Sequence, residues 1–134
     1  MDLLVNWYRA GWAFRYLREA KADLMSAERA SSSSTSVSLS VLSMKKSQAA
    51  LYFCLGDPIY LDSMVKFAIK TGGMERRGIM GFLVLIEKII QRINDQADVY
   101  DRIMAIKEAR FVNNAAQEVV ELITGRGYKE EYGL

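Results

Sequence analysis

The sequence contains no histidine, and that absence excludes several kinds of functional site. Histidine is the commonest metal ligand and the only side chain whose unperturbed pKa lies near neutrality. Serine–histidine and cysteine–histidine nucleophile pairs are therefore excluded, as are zinc-finger and zinc-protease spacings. We expect no catalytic residue, no bound metal and no cofactor, and enzymatic catalysis is the least favoured class of function.

Cysteine and proline are also scarce, since Cys54 and Pro58 are the only examples. A lone cysteine forms no intrachain disulfide, which suits a reducing compartment, and we expect Cys54 to be a buried structural thiol. The first ten residues lack the basic start and apolar run of a signal peptide. The longest apolar run, 79–86, is far shorter than the ~20 residues that cross a membrane. We predict a cytoplasmic protein without a membrane span.

Length and composition indicate a single domain that buries part of its surface against a partner. The length of 134 residues fits a single domain, 1–134. Apolar residues make up 51% and the mean hydropathy is near zero, which suggests surface buried against another protein. The net charge is only +2, from 18 basic and 16 acidic residues, and this balance gives no electrostatic argument for nucleic-acid binding.

Apolar residues recur every three or four positions along almost the whole chain, and no long stretch alternates with period two. We therefore predict an all-α antiparallel bundle of about five helices, at 3–30, 37–55, 58–70, 75–93 and 99–124. The serine-rich stretch 31–36 is predicted to be a loop. A weak break at 94–98 leaves open whether the last two helices are continuous, and 126–134 is predicted to be a frayed tail.

Gly56-Asp57-Pro58 is the most specific local signal. Gly56 can adopt the left-handed conformation that ends a helix. Asp57 can accept hydrogen bonds from the free N–H groups of the next helix, and Pro58 fits its first position. One helix is therefore predicted to stop, and another to start, within three residues.

The fourth predicted helix carries the most apolar side chains, so we expect it to be the most buried one. Its solvent-facing strip is predicted to hold Glu87, Lys88, Gln91 and Asp95. In the first and fifth helices, the apolar stripes are expected to bury Trp7, Ile103 and Ile123 among other residues.

Two rows of residues are candidates for an interface. An aromatic row on the first helix and a row of small residues on the second contain the candidates Tyr8, Trp12, Tyr16, Ser40, Ser43 and Ser47. The aromatic row indicates either a wide intrachain core face or a subunit interface. The serine row indicates either a solvated face or a close helix–helix contact. We predict a homodimer that pairs the aromatic rows, with the serine row alongside.

The stretch 71–78 combines glycines, the arginines Arg76 and Arg77, and a predicted helix start. Free N–H groups at helix N-termini bind anions, so Arg76 and Arg77 are candidates for a contact with phosphate or RNA. The alternative is a capped turn with exposed arginines. The stretch matches neither the Walker pattern nor the dinucleotide fingerprint.

Three segments carry a resemblance to a known superfamily. Segment 16–24 (YLREAKADL) is similar to the first helix of the HEPN superfamily of small helical bundles, and segment 46–52 (KSQAALY) is similar to its second helix. The segment that begins with 108–112 (EARFV) is similar to its closing helix. The resemblance spans most of the chain, and it implies a helical-bundle fold.

The HEPN superfamily includes toxin ribonucleases with an arginine followed several residues later by a histidine. Here Arg92 is followed by Asn94, Asp95 and Asp98, and the histidine is missing. The resemblance therefore implies a non-catalytic member. We predict an interaction module that self-associates. The alternative is a HEPN-type protein that binds RNA or a nucleotide, or that pairs with a nucleotidyltransferase-like protein.

Overall fold

A computed structural model describes residues 6–72 and 78–125, which form helices and connecting turns without a strand. The predicted all-α bundle is confirmed. The helices are α1 (Trp7–Arg29), α2 (Ser33–Leu55), α3 (Pro58–Thr71), α4 (Gly78–Asp95) and α5 (Arg102–Thr124). The predicted tail at 126–134 lies outside the described residues.

The predicted serine loop at 31–36 is wrong, because α2 begins four residues earlier than expected. Ser32 is the N-cap, and its hydroxyl accepts a hydrogen bond from the backbone N–H of Thr35 at 3.1 Å. Ser36 lies inside the helix, where its hydroxyl donates to the carbonyl oxygen of Ala27 at 2.8 Å. Capping and this contact with α1 offset the weak helix propensity of serine.

The joint between α2 and α3 agrees with the sequence except at its glycine. Asp57 accepts hydrogen bonds from the backbone N–H groups of Ile59 at 2.9 Å and Tyr60 at 3.3 Å, and Pro58 occupies the first turn. Gly56 has φ 170° and is extended rather than left-handed, so that expectation is wrong. The left-handed glycine that ends a helix is found instead at Gly72, with φ 61°.

Helices α4 and α5 are separate, which settles the question left open by the break at 94–98. Asp101 caps α5 by accepting a hydrogen bond from the backbone N–H of Ile103 at 3.0 Å. The intervening turns begin with hydrogen bonds from Gln96 N–H to the carbonyl oxygen of Ile93 and from Val99 N–H to that of Gln96. The connection is therefore longer than predicted.

Helix α2 lies at the centre of the bundle, where it contacts each of the other four helices. Its closest neighbour is α1, which runs antiparallel to it, and α5 lies along both. Arg102 at the start of α5 donates to the carbonyl oxygen of Ala30 at 2.8 Å, so α5 begins where α1 ends. Helices α3 and α4 pack against α2 and against each other.

This arrangement shows that several predictions of which helix sides are buried or exposed are wrong. The most buried helix is α2 rather than α4, because α2 has the most extensive contacts with the other helices. Glu87, placed in the solvent strip of α4, is only 6% exposed. Trp7, Ile103 and Ile123 are 42%, 70% and 37% exposed, so these members of the predicted stripes lie on the outer side of their helices.

Candidate functional site

The serine row of α2 forms the close contact with α1. The hydroxyl of Ser43 donates to the carbonyl oxygen of Ala20 at 2.7 Å, seven residues along from the bond between Ser36 and Ala27. Ser43 also accepts a hydrogen bond from the side-chain amide of Asn113 on α5 at 2.9 Å. Small side chains on both helices bring a hydroxyl of one helix to the backbone of the other.

Ser40, Ser43 and Ser47 are 0% exposed and therefore face neighbouring helices of the same chain. Their prediction as residues of a subunit interface is corrected, because they have no surface to offer a second copy. The alternative of a close helix–helix contact is the one the structure supports. The hydroxyls of Ser40 and Ser47 have no hydrogen-bond partner among residues 6–72 and 78–125.

Two residues of the predicted aromatic row pack against α2. The rings of Trp12 and Tyr16 lie 6.1 Å and 5.5 Å from the ring of Phe53, and both pairs are stacked. Trp12 and Tyr16 are themselves 6.2 Å apart. All three side chains are half-buried, so this cluster belongs in part to the intrachain packing.

The outer side of this cluster remains open to solvent. The guanidinium of Arg15 lies over the Trp12 ring at 5.1 Å and forms an ion pair with Glu19. Tyr8, the first residue of the predicted row, is 76% exposed. We refer to Tyr8, Trp12, Tyr16, Phe53 and Arg15 as the aromatic surface. The candidate anion contacts Arg76 and Arg77 lie outside the described residues.

Cys54 lies beside the aromatic surface near the end of α2 and is half-buried. Burial raises the pKa of its thiol to about 11. The thiolate, which is the reactive form, is therefore disfavoured at neutral pH. This environment fits a packing role for the side chain better than a nucleophilic one.

A polar cleft opens between α2, α3 and α4. It has a volume of about 400 Å³, and its floor is formed by Gln48 of α2 with Glu87 and Ile90 of α4. Its rim consists of charged and amide side chains, most of them exposed: Lys45, Asp62, Lys66, Gln91, Asn94 and Asp95. Lys66 and Asp62 form an ion pair at 3.0 Å on α3.

Two amides hold the buried carboxylate of Glu87. Gln48 donates from Nε2 to Glu87 Oε1 at 2.6 Å, and Gln91 donates from Nε2 to Glu87 Oε2 at 2.8 Å. A carboxylate removed from water is strongly disfavoured unless hydrogen bonds replace its hydration, and these two donors do so. The interaction also joins α2 to α4 across 39 positions of sequence.

Tyr52 follows Gln48 by one turn of α2 and is only 4% exposed. Its hydroxyl has no hydrogen-bond partner among the residues that the structure describes. Burial, and then the negative charges of Glu87 and Asp62, raise the pKa of this phenol, and the nearby Gln48 amide offsets part of the rise. The hydroxyl is therefore neutral and lies close to two residues of the cleft.

Sequence reasoning missed the cleft, although one signal was present. Glu87 lies four residues after Leu83 and three before Ile90, so it falls on the buried stripe of its helix. Gln48 falls on the inner face of α2 in the same way. A polar residue on each of two buried stripes indicates a pair that satisfies itself inside the fold.

Across 6–72 and 78–125, no group of three side chains of the types that bind metals converges. In the same ranges, no helix combines the length and apolar character required to cross a membrane. The chain matches no family model, no curated protein and no solved structure. The resemblance to the HEPN superfamily therefore stays a prediction.

Proposed function

We propose that the protein is a non-catalytic interaction module that self-associates through the aromatic surface. The observation that carries this proposal is the exposure of Tyr8, which is 76% accessible beside the stacked cluster of Trp12, Tyr16 and Phe53. Aromatic residues and arginine are enriched at protein interfaces and at the positions that contribute most to binding.

The packing of the cluster favours binding because it reduces the entropy lost on association. Trp12 is held between Phe53, Tyr16 and the guanidinium of Arg15, so its ring is already ordered in the monomer. Side chains that are ordered before binding lose less freedom in the complex. A second copy supplies a matching occupant, since a two-fold axis brings the same surface against itself.

Tyr8 is a better position than Trp12 for a substitution that tests this proposal. Trp12→Glu would disturb the stack with Phe53 and so affect folding and association together. Tyr8→Glu adds a charge at an exposed position and leaves the intrachain stacks intact. We expect the unmodified protein to sediment as a dimer at micromolar concentration and Tyr8→Glu to sediment as a folded monomer, with an unchanged circular dichroism spectrum.

A matched control places the same change on another helix. Leu122 on α5 is 82% exposed, and Leu122→Glu should leave the dimer intact. A monomeric unmodified protein at high concentration would refute the proposal. Dissociation by Leu122→Glu but not by Tyr8→Glu would assign the interface to α5 instead.

A further inference from the structure

We propose that the polar cleft between α2, α3 and α4 binds a small organic cation that carries an ammonium or guanidinium group. This site lies on different residues from the aromatic surface and does not depend on self-association. Its floor contains the buried carboxylate of Glu87, and its volume of about 400 Å³ falls within the range of small-molecule sites.

The direction of the hydrogen bonds makes the floor a set of acceptors. An ionised carboxylate only accepts hydrogen bonds, so Gln48 and Gln91 must both turn their NH₂ groups toward Glu87. Among the described residues, no hydrogen bond to the carbonyl oxygens of these two amides is found, so both oxygens can accept from another group. Each oxygen of Glu87 also keeps acceptor capacity beyond the single bond described. A ligand that complements this floor must bring N–H donors.

The buried Tyr52 hydroxyl, one helical turn beyond Gln48, has no hydrogen-bond partner among the described residues. A buried polar atom without a hydrogen bond is unfavourable, and native proteins rarely leave one. Tyr52 does not line the cleft itself, but the negative charges of Glu87 and Asp62 act on its phenol and raise its pKa, which places this hydroxyl behind the floor. Ser40 and Ser47 also lack partners among the described residues, and both are 0% exposed, so neither hydroxyl has access to a ligand from solvent.

The charges around the cleft favour a cation over an anion. The lining contains two lysines, Lys45 and Lys66, and three carboxylates, from Asp62, Glu87 and Asp95, which gives a net charge of 2 − 3 = −1. Lys66 is paired with Asp62, and Lys45 stands exposed at the rim. The buried charge on the floor, where screening by solvent is weakest, is therefore negative.

The test compares four probes of similar shape and different charge. Butylammonium and butylguanidinium are the cations, butanol is the neutral control and butyrate is the anionic control. The side-chain NH₂ resonances of Gln48 and Gln91 in ¹⁵N–¹H spectra report directly on the floor. We expect saturable shifts with both cations and none with butanol or butyrate.

Two variants test the assigned contacts. Glu87→Gln removes the charge at nearly constant shape and should weaken cation binding about tenfold or more, the usual effect of losing a charged hydrogen-bond partner. Tyr52→Phe should weaken binding by a smaller factor, and it should fold normally because it deletes an unpartnered hydroxyl. Tyr60→Phe, on the exposed side of α3, is the matched control and should bind like the unmodified protein.

Three results would overturn the proposal. The first is the absence of saturable shifts with both cations, and the second is a shift with butanol that equals the shift with the cations. The third is an unchanged cation affinity in both single variants, Tyr52→Phe and Glu87→Gln. If Glu87→Gln does not fold, the comparison of Tyr52→Phe with Tyr60→Phe decides the outcome, since equal affinity in these two variants also overturns it.

Discussion

Helices α2 and α3 adjoin at residues 56–57, yet they differ in how much of their surface is covered. The row of serines on α2 is completely buried. Helix α3 exposes Ile59 by 81%, Tyr60 by 65% and Phe67 by 66%, and Val65 is its one buried residue. The more polar of these two neighbouring stretches is therefore the more deeply buried.

The position of each helix in the bundle explains this difference. Helix α2 contacts four neighbours, and small side chains such as Ser43 allow α1 to approach until a hydroxyl reaches its backbone. Helix α3 lies at the edge and packs mainly against α4 and α2, so one side of it stays exposed. Burial thus follows the extent of contact with neighbouring helices more closely than apolar composition.

The largest difference between α2 and α3 is expected in the free energy of unfolding that is lost when a large side chain is removed. Leu51 on α2 is 0% exposed, and Leu51→Ala should lower the free energy of unfolding by about 2–5 kcal/mol, because it leaves a cavity. The matched change Phe67→Ala on α3 should alter it by less than about 0.5 kcal/mol. Urea denaturation measures both, and equal losses would show that α3 is as deeply packed as α2.

The serines of α2 should differ in how much they contribute to the free energy of unfolding, because only some of them form hydrogen bonds. Ser43→Ala removes the donor to Ala20 and the acceptor for Asn113, so it should lower the free energy of unfolding by about 1–3 kcal/mol. Ser40→Ala deletes a buried hydroxyl without a partner in the described ranges and should be neutral or slightly stabilising. A loss at Ser40 equal to that at Ser43 would indicate an unrecognised partner for Ser40.

The joint between the two helices should show a cap effect. Asp57→Ala removes the acceptor for two backbone N–H groups and should lower the free energy of unfolding by about 0.5–2 kcal/mol. Asp57→Asn keeps a capping oxygen and should change it much less. Chemical denaturation of both variants checks this prediction, and identical midpoints for Asp57→Ala and the unmodified protein would contradict it.

The smallest effect is expected from the thiol at the end of α2. Folding raises the pKa of the Cys54 thiol from 9.0 to about 11. Between these two pH values, the thiol is neutral in the folded protein and ionised in the unfolded chain. Its contribution to stability is complete below pH 9.0 and is lost as the pH rises toward 11, by about 1 kcal/mol or less for a half-buried group.

Cys54→Ala removes this titration and leaves all other groups in place. The stability of the unmodified protein relative to Cys54→Ala should therefore fall as the pH rises above 9.0. Denaturation midpoints of both proteins across this range give the difference directly. A difference that stays constant with pH would mean that Cys54 is as accessible in the folded protein as in the unfolded chain.

Local signals predicted most of the helices and their joints. The cap at Asp57 and the helix start at Pro58 depend on a few neighbouring residues, and the structure contains both. The predicted serine loop failed because Ser32 caps α2 and Ser36 donates a hydrogen bond to α1, and helix propensities include neither bond. The candidate sites required more, because their residues come from different helices.

The amino-acid order fixes the helical periodicity, the capping residues and the apolar stripes, because these depend on contacts within a few positions along the chain. The placement of Glu87 against Gln48, and of Trp12 against Phe53, arises only when the helices pack, because each pair joins distant segments. Packing also decides which stripe is covered, and it turned a predicted solvent-facing carboxylate into the floor of a cleft. A stripe records which side of a helix prefers burial, whereas the number of neighbours that cover it is a property of the whole bundle.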